Sequence, residues 1–187
     1  MFQIADDPDI LLLSAWNLAK QELESHSGRK CLDTGIAISD VFFYSGTLKY
    51  PYRIACMPRR GAEIIQETES TLFNMEFQKM VKMHEKEVAH GLGSSNFYLG
   101  TALNEGFGLP SLEAMAAGCI VVTVPVLGGK EYLKDHETCF VVEPENFAKK
   151  LKEIVQDMDP STLQRVRDGG RAMAGNYLMS RQKQKIK

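Results

Sequence analysis

The sequence predicts an α/β protein with a doubly wound parallel sheet. From about residue 53 onward, short apolar runs alternate with segments of helical periodicity, the pattern of a parallel sheet with helices on both faces. The run Cys-Ile-Val-Val-Thr-Val at 119–124 has no apolar–polar alternation, as expected of a strand buried on both faces. The chain has 187 residues, 44% hydrophobic and 25% charged, so it can bury a full core. That composition excludes a disordered chain, a collagen and a disulfide-stapled miniprotein.

Charge and apolar content exclude further classes. The formal charge is −2 and the basic excess is confined to the end of the chain, so the overall attraction expected of a nucleic-acid-binding protein is missing. The four cysteines are widely spaced, and we expect them to be reduced and buried. The longest apolar stretch, at 10–16, is too short to span a bilayer, and the acidic start is unlike a secretory signal. We therefore expect a cytoplasmic protein that binds no nucleic acid.

The first 50 residues are predicted to form a small segment apart from the sheet. An apolar run at 10–14 predicts a strand, and helical spacing follows to about Ser25. Residues 31–38 are a candidate strand broken by a glycine, and the aromatic, turn-rich stretch 39–52 is typical of a linker. We therefore place a boundary near residue 50.

The remaining chain is predicted to form the sheet domain and a C-terminal helix. Apolar runs predict strands at 53–57, 77–83, 96–101, 119–124 and 139–143. Helical periodicity predicts helices that begin near residues 62, 85, 110 and 146. An Asp-Pro pair at 159–160 starts a last helix, which leads into a basic tail. The predicted domains are therefore 1–50, 51–158 and 159–187.

The most informative stretch is Leu-Asn-Glu-Gly-Phe-Gly-Leu-Pro-Ser-Leu-Glu at 103–113. Gly106 and Gly108 let the backbone approach a ligand closely, because glycine has no side chain and adopts positive φ at little cost. Pro110 predicts the start of a helix, whose first N–H groups are unpaired and favour an anion such as a diphosphate. The sequence therefore predicts a phosphate-type site at the start of this helix.

Two carboxylates flank this turn, with seven residues between them. Glu113 lies one turn into the predicted helix and would face the cleft at the carboxyl end of a parallel strand, where it could accept hydrogen bonds from both hydroxyls of a ribose. Glu105 precedes the glycines and would lie beyond the phosphates, where a sugar would bind. By itself, a glutamate near the start of a helix is more often a surface residue stabilised by the helix dipole.

The whole phrase at 105–118, followed by an apolar strand and Gly-Gly-Lys-Glu-Tyr-Leu, resembles a known family. It resembles the donor-binding core of retaining glycosyltransferases with the GT-B fold, the large group 1 family, which uses nucleotide-diphospho-sugars. Residues 55–63 resemble the first strand and phosphate loop of that domain, and 35–44 resemble its interdomain connection. The resemblance covers about residues 30–180. It implies the Rossmann-like carboxy-terminal half of a GT-B fold, preceded by a small amino-terminal remnant over 1–50.

The resemblance assigns roles to particular residues. Glu105 would be the first acid of the family's pair of glutamates and contact the transferring sugar, while Glu113 would be the second and hold the ribose. Arg59 or Arg60 would stabilise the negative charge that the departing diphosphate gains as the glycosidic bond breaks. Backbone groups that reach the sugar and phosphates would come from Gly106, Phe107, Gly108 and Leu109.

The basic residues depart from the family's commonest pattern, a Gly-Arg with a later lysine, so the choice between Arg59 and Arg60 stays open. An exposed basic turn is an equal alternative for this pair. Lys130 follows a Gly-Gly pair in a loop that would border the same cleft, although a solvated lysine is the more common role at such a position. The family's reaction needs no divalent metal and no cofactor, so we expect neither.

The expected activity is retaining transfer of a hexose from a nucleotide-diphospho-sugar to a glycan, lipid or protein acceptor. Family members have two domains of comparable size, and this chain is about half that length. It therefore resembles a truncated glycosyltransferase that needs an amino-terminal domain or a partner chain to be a complete catalyst. A binding module that recognises a nucleotide-sugar without turnover is an alternative, and a purely structural α/β domain is a third. We expect it in the cytoplasm, either free or peripheral at a membrane.

Overall fold

The computed structural model describes residues 7–43 and 48–185. They form two compact units, of which the larger spans residues 38–176. The smaller unit contains the chain before residue 38 and after residue 176. The predicted domain limits at residues 50 and 158 stay predictions. The two compact units divide the chain differently, because both of its ends belong to the smaller unit.

The smaller unit begins with a strand, a helix and a second strand. These are β1 (Leu13–Ser14), α1 (Asn17–Ser27) and β2 (Leu32–Asp33), and the two strands pair in parallel. Of the strand predicted over 31–38, the structure confirms a short part before Gly35, the glycine that was predicted to break it. The end of this strand has a physical reason, because Gly35 adopts a φ of +67°, which extended strand backbone does not allow.

The larger unit contains the predicted parallel sheet. Its strands are β3 (Tyr50–Cys56), β4 (Glu76–Lys79), β5 (Ser95–Gly100), β6 (Ile120–Thr123) and β7 (Phe140–Val141). Its helices are α2 (Ala62–Thr71), α3 (Glu85–Ser94), α4 (Leu109–Ala116), α5 (Phe147–Gln156) and α6 (Pro160–Ala174), and α7 (Met179–Lys185) follows in the smaller unit. Neighbouring strands are all parallel, in the order β4-β3-β5-β6-β7. This confirms the predicted fold class.

Helices cover both faces of this sheet. Ile54, Leu99 and Val122 are fully buried in one apolar cluster, which also contains the inward side chains of α2 and α5. Because side chains alternate along a strand, the neighbours Ala55 and Tyr98 point to the opposite face, where α3 and α4 pack on β3, β5 and β6. Each fully buried large apolar side chain contributes about 1.5–3 kcal/mol to folding. This two-sided core holds the carboxyl ends of the strands rigidly at one edge.

The order of the strands creates a crevice between β3 and β5. The chain leaves β3 through α2 to reach β4 on one side, and it then returns through α3 to β5 on the other side of β3. Successive connections therefore leave the sheet in opposite directions at this point. In open α/β sheets, ligands bind at such a switch point, outside the carboxyl ends of the strands.

Three further expectations can be compared with the structure. The stretch predicted as a linker, 39–52, contains a short 3-10 turn at Asp40–Phe42 and already includes the start of β3, while residues 44–47 lie outside the described part. All four cysteines are buried and free, as predicted. Among the described residues, no helix combines the length and apolar character needed to cross a bilayer.

Candidate functional site

A cavity of about 690 Å³ opens at the switch point of the sheet. Its wall consists of the loops that follow β3, at 57–60, and β4, at 80–83, together with the end of β5 and the residues after it, at 98–102. Glu105 and Gly108, which lie before the start of α4, complete the side that faces these loops. The volume falls within the ~300–1,000 Å³ that is usual for small-molecule sites. The cavity is therefore where sequence and topology both predict a ligand.

Gly108 sets the direction of the chain as it enters α4. Its φ is +83°, in the left-handed region that glycine adopts without strain, and its carbonyl accepts a hydrogen bond from the N–H of Ser111 at 3.1 Å. A Cβ atom at this position would lie 2.9 Å from the hydroxyl of Tyr132. Both the backbone conformation and the available space therefore require glycine here.

Tyr132 fastens this turn from behind. Its side chain is fully buried, and its hydroxyl donates to the carbonyl oxygen of Gly108 at 2.5 Å and lies 3.1 Å from that of Phe107. The rings of Phe107 and Tyr132 are also in contact, with centroids 5.2 Å apart. In addition, the N–H of Gly128 donates to the carbonyl of Gly106 at 2.7 Å. The glycine turn and the loop after β6 thus form one hydrogen-bonded piece.

Arg60 and Glu105 meet across the crevice. The Nη1 atom of Arg60 lies 3.4 Å from Oε2 of Glu105 and donates to the carbonyl of Asn104 at 3.2 Å. Thr101 also holds the loop after β3, because its hydroxyl donates a hydrogen bond to the carbonyl oxygen of Arg60 at 3.0 Å. The two charged side chains are 49% and 29% exposed, so this ion pair adds little to stability. Arg59 also lines the cavity, next to this pair.

Glu113 is half-buried in the middle of α4 and does not line the cavity itself. Burial, with a smaller contribution from the negative charge of Glu85 at the start of α3, raises the pKa of its carboxyl to about 7. Burial and the nearby negative charge of Glu113 both raise the pKa of the hydroxyl of Tyr98, a residue of the cavity wall. No donor among the residues that the structure describes pairs with this carboxylate. A half-buried acid without a donor, one helical turn from the wall, is the kind of group that a ligand hydroxyl can satisfy.

The other predicted residues lie off the wall. Phe107 is buried beneath the turn, Leu109 is exposed at the start of α4, and the carbonyl of Gly106 already accepts the bond from Gly128. Lys130 is exposed, and its carbonyl accepts a hydrogen bond from the ammonium of Lys134 at 2.8 Å. The structure therefore brings together Arg59, Arg60, Glu105 and Gly108, with Glu113 behind the wall. The roles predicted for all of these residues stay predictions.

Several residues of the site were not found from the sequence. Tyr132 was part of the Gly-Gly-Lys-Glu-Tyr-Leu phrase but received no role, because the sequence spacing gives no sign of its hydrogen bond to Gly108. Lys82 lines the cavity from the loop after β4 and has a φ of +52°. Met57, Met80 and Met83 form an apolar part of the wall. The positions of these residues depend on which loops the order of the strands brings together, and no local sequence pattern indicates that order.

Comparison with known proteins agrees with this fold. Residues 63–173 match the family model described as glycosyl transferases group 1. Among solved structures, the chain is similar to the C-terminal domain of a group 1 glycosyl transferase, LpcC, from Francisella tularensis, with a TM-score of 0.57 and 16% identity over 74% of this chain and 92% of that one. It is also similar to a glycosyltransferase from Rickettsia africae, with a TM-score of 0.77 and 16% identity over 94% of this chain and 61% of that one.

A third similar structure is the pneumococcal O-GlcNAc transferase GtfA in complex with UDP and GlcNAc. Its TM-score is 0.75 at 14% identity, over 94% of this chain and 44% of that one. No curated protein sequence matches the chain. The chain thus spans most of an isolated C-terminal domain but 61% and 44% of the two longer proteins.

The fold and the position of the cavity define a Rossmann-like domain of the kind that forms the carboxy-terminal half of GT-B glycosyltransferases. The family model covers more than half of the residues. This chain belongs to the glycosyl transferases group 1 family.

Proposed function

We propose that this chain is the donor-binding domain of a retaining glycosyltransferase, which transfers a hexose from a nucleotide-diphospho-sugar to an acceptor. The observation that carries the proposal is the charge of the cavity wall. Arg59, Arg60 and Lys82 line one cavity, and among the described residues Glu105 is the acidic residue that lines it with them. An excess of positive charge at the switch point of a parallel sheet attracts a compact anion such as a diphosphate.

The remainder of the wall suits the rest of such a donor. The apolar surface of Met57, Met80 and Met83 offers a face on which a nucleobase can pack. On the other side, the start of α4 directs the positive end of its dipole toward the cavity. The complex of pneumococcal GtfA with UDP and GlcNAc, a protein of similar fold, contains a nucleoside diphosphate and a sugar. These features together favour a nucleotide-sugar over a simple phosphate.

In the proposed reaction, the bond between the anomeric carbon and the diphosphate oxygen breaks, and the acceptor oxygen bonds to the same face of that carbon. The acceptor's proton passes to an oxygen of the departing diphosphate. Arg59 or Arg60 stabilises the charge that this diphosphate gains, which lowers the transition state more than the ground state. Glu105 holds the transferring sugar, Glu113 accepts hydrogen bonds from the ribose hydroxyls, and Lys130 borders the cleft. Backbone groups of the turn at 106–109 contact sugar and phosphates, with no metal or cofactor.

The same proposal includes what lies outside the chain. The acceptor is a glycan, a lipid or a protein, and an amino-terminal domain or a partner chain completes the catalyst in the cytoplasm or at a membrane surface. The chain spans 61% and 44% of two longer proteins of similar fold, which supports a catalyst that is completed by a further domain or chain. That span equally favours the alternative of a nucleotide-sugar-binding module without turnover.

Calorimetric titration with UDP, GDP and ADP tests the proposal. We expect one of them to bind at submillimolar concentration, and absence of binding by all three at millimolar concentration would contradict both the enzyme and the binding module. Slow hydrolysis of the matching nucleotide-sugar then separates the two. Hydrolysis that Glu105→Gln abolishes supports the enzyme, whereas binding without nucleotide release over days supports the module. Glu145→Gln, at an exposed turn before α5, is the matched control and should retain full hydrolysis.

A further inference from the structure

The geometry points to Lys82 as a further ligand-binding residue, one that holds the anionic phosphates of the donor from the side opposite Glu105. This inference rests on the proposed function, because it names a residue of the same site. It goes beyond the sequence motifs, which gave Lys82 no role.

Strand pairing places Lys82 and Arg59 on neighbouring loops. Cys56 and Lys79 are paired residues of β3 and β4, and the N–H of Met80 donates to the carbonyl of Cys56 at 2.9 Å. Arg59 comes three residues after Cys56, and Lys82 comes three residues after Lys79. The two loops therefore leave the sheet side by side, and both residues line the cavity. Two cations, on loops that follow neighbouring strands, thus line the same cavity.

The backbone of Lys82 is in the left-handed region, with a φ of +52°. Residues with a Cβ atom avoid this region, and glycine occupies it at no cost. Among the described residues, the other non-glycine example is His136, whose N–H donates to the carbonyl of Cys139 at 2.8 Å and whose own carbonyl accepts from Arg165 at 3.0 Å. Within the same part of the chain, no such bond holds Lys82. A lysine at a position that favours glycine indicates that its side chain is used.

Lys82 and Arg59 have no acidic partner among the residues that the structure describes. Glu105 is the carboxylate on the wall, and it already pairs with Arg60. In the described chain, neither Lys82 nor Arg59 forms an ion pair. Neighbouring like charges repel each other until an anion binds between them. The side chain of Lys82 is therefore available for a phosphate, and a nucleobase or a ribose offers it no comparable charge.

The test varies the number of phosphates. Lys82→Asn removes the charge but keeps a residue that tolerates positive φ, and Lys82→Arg keeps the charge. We expect Lys82→Asn to weaken binding of UDP by about tenfold, UMP by less and uridine not at all, because only phosphates contact the ammonium. If GDP or ADP is the ligand that binds the wild type, the same three-step series of guanosine or adenosine compounds is used. Lys82→Arg should restore most of the affinity.

Two controls make the outcome decisive. Lys30→Asn removes an exposed lysine from the coil between α1 and β2 and should leave every affinity unchanged. Lys82→Gly relieves the backbone strain, so it should unfold at a temperature no lower than the wild type while losing the same affinity as Lys82→Asn. An equal loss for uridine and UDP, or no loss at all, would overturn the inference while leaving the proposed function in place. Failure of the wild type to bind any nucleoside diphosphate would overturn both.

Discussion

The hydroxyl of Tyr132 lies 2.5 Å from the carbonyl oxygen of Gly108, although 24 residues separate them in the chain. That one hydrogen bond joins the loop after β6 to the turn that starts α4. The same hydroxyl occupies the space that a Cβ atom of residue 108 would need. The tyrosine and the glycine are therefore matched to each other, and each constrains what the other can become.

Removing this hydroxyl should affect both stability and binding. Tyr132→Phe removes the hydroxyl donor from the buried carbonyl oxygen of Gly108, which keeps its bond from the N–H of Ser111. We therefore expect the free energy of unfolding to fall by about 0.5–1.5 kcal/mol in urea titrations. The freed turn should also weaken UDP binding, measured by calorimetry. Thr68→Val is the control, because it removes one buried hydroxyl that donates to the carbonyl of Ile64 within α2. It should lower stability but not affinity; equal losses of affinity in the two variants would rule out a role specific to the turn.

A double-mutant cycle should show the steric match directly. Gly108→Ala should cost more than about 1 kcal/mol, because alanine is strained at positive φ and its Cβ meets the Tyr132 hydroxyl. In combination with Tyr132→Phe, the cost should be less than the sum of the single changes, by about 0.5 kcal/mol or more. Gly28→Ala supplies the comparison, since Gly28 also has positive φ, at +64°, but no atom within 4 Å of its Cβ position. The cycle that combines Gly28→Ala with Tyr132→Phe should be additive. If the cycle of Gly108→Ala with Tyr132→Phe is additive as well, the steric match between Gly108 and Tyr132 is contradicted.

The raised pKa of Glu113 should make stability depend on pH. The folded chain keeps this proton up to about pH 7, whereas the unfolded chain releases it near the ordinary glutamate pKa of 4.5. Between those values the folded state binds more protons, so unfolding free energy should fall as pH rises, by up to about 3 kcal/mol at about 1.4 kcal/mol per unit. Glu113→Gln should remove this slope in urea titrations from about pH 5 to about pH 8. Parallel curves for the two proteins would show that the carboxyl titrates normally.

The ribose role of Glu113 can be tested with a modified ligand. Glu113→Ala should weaken UDP binding by about 1–3 kcal/mol, because the ribose hydroxyls lose their acceptor. The loss should be smaller for 2′-deoxyuridine diphosphate, which lacks one of those hydroxyls. An identical loss for both nucleotides would place the glutamate away from the ribose hydroxyl at the 2′ position.

The ion pair of Arg60 and Glu105 should matter more for ligands than for folding. Since both side chains are partly exposed, Arg60→Gln should change unfolding free energy by less than about 1 kcal/mol. It should nevertheless weaken UDP binding by about tenfold, because a charged contact to phosphate is lost. Lys150→Gln breaks an exposed pair with Glu153 on α5 and should change neither quantity. A large stability loss in Arg60→Gln alone would assign the arginine a structural role.

The sequence was informative wherever local pattern decides structure. The unbroken apolar run at 119–124 predicted β6, and Pro110 predicted the start of α4, because burial on two faces and helix initiation leave marks on neighbouring residues. The short strands of the first unit were harder to predict. Residues 31–38 are apolar enough for a longer strand, but Gly35 ends it after Asp33.

The candidate site was predictable only in part. Glu105, and Arg60 as one of two candidate arginines, were predicted because each stands in a recognisable phrase. Their contact, however, follows from the adjacency of β3 and β5, as the position of Lys82 follows from the pairing of β3 with β4. A partner that lies 24 residues away in the chain, as Tyr132 does from Gly108, leaves no periodic signal.

The bond between Gly128 and Gly106 has a consequence for how a ligand would escape. Because it ties the turn before α4 to the next loop, and Tyr132 anchors both, we expect that wall of the cavity to be the stiffer one. The opposite wall ends at β4, the outermost strand on its side of the sheet, where Val81 is exposed. A bound nucleotide should therefore leave past residues 80–83, and its dissociation rate should be more sensitive to changes there than to changes in the glycine turn.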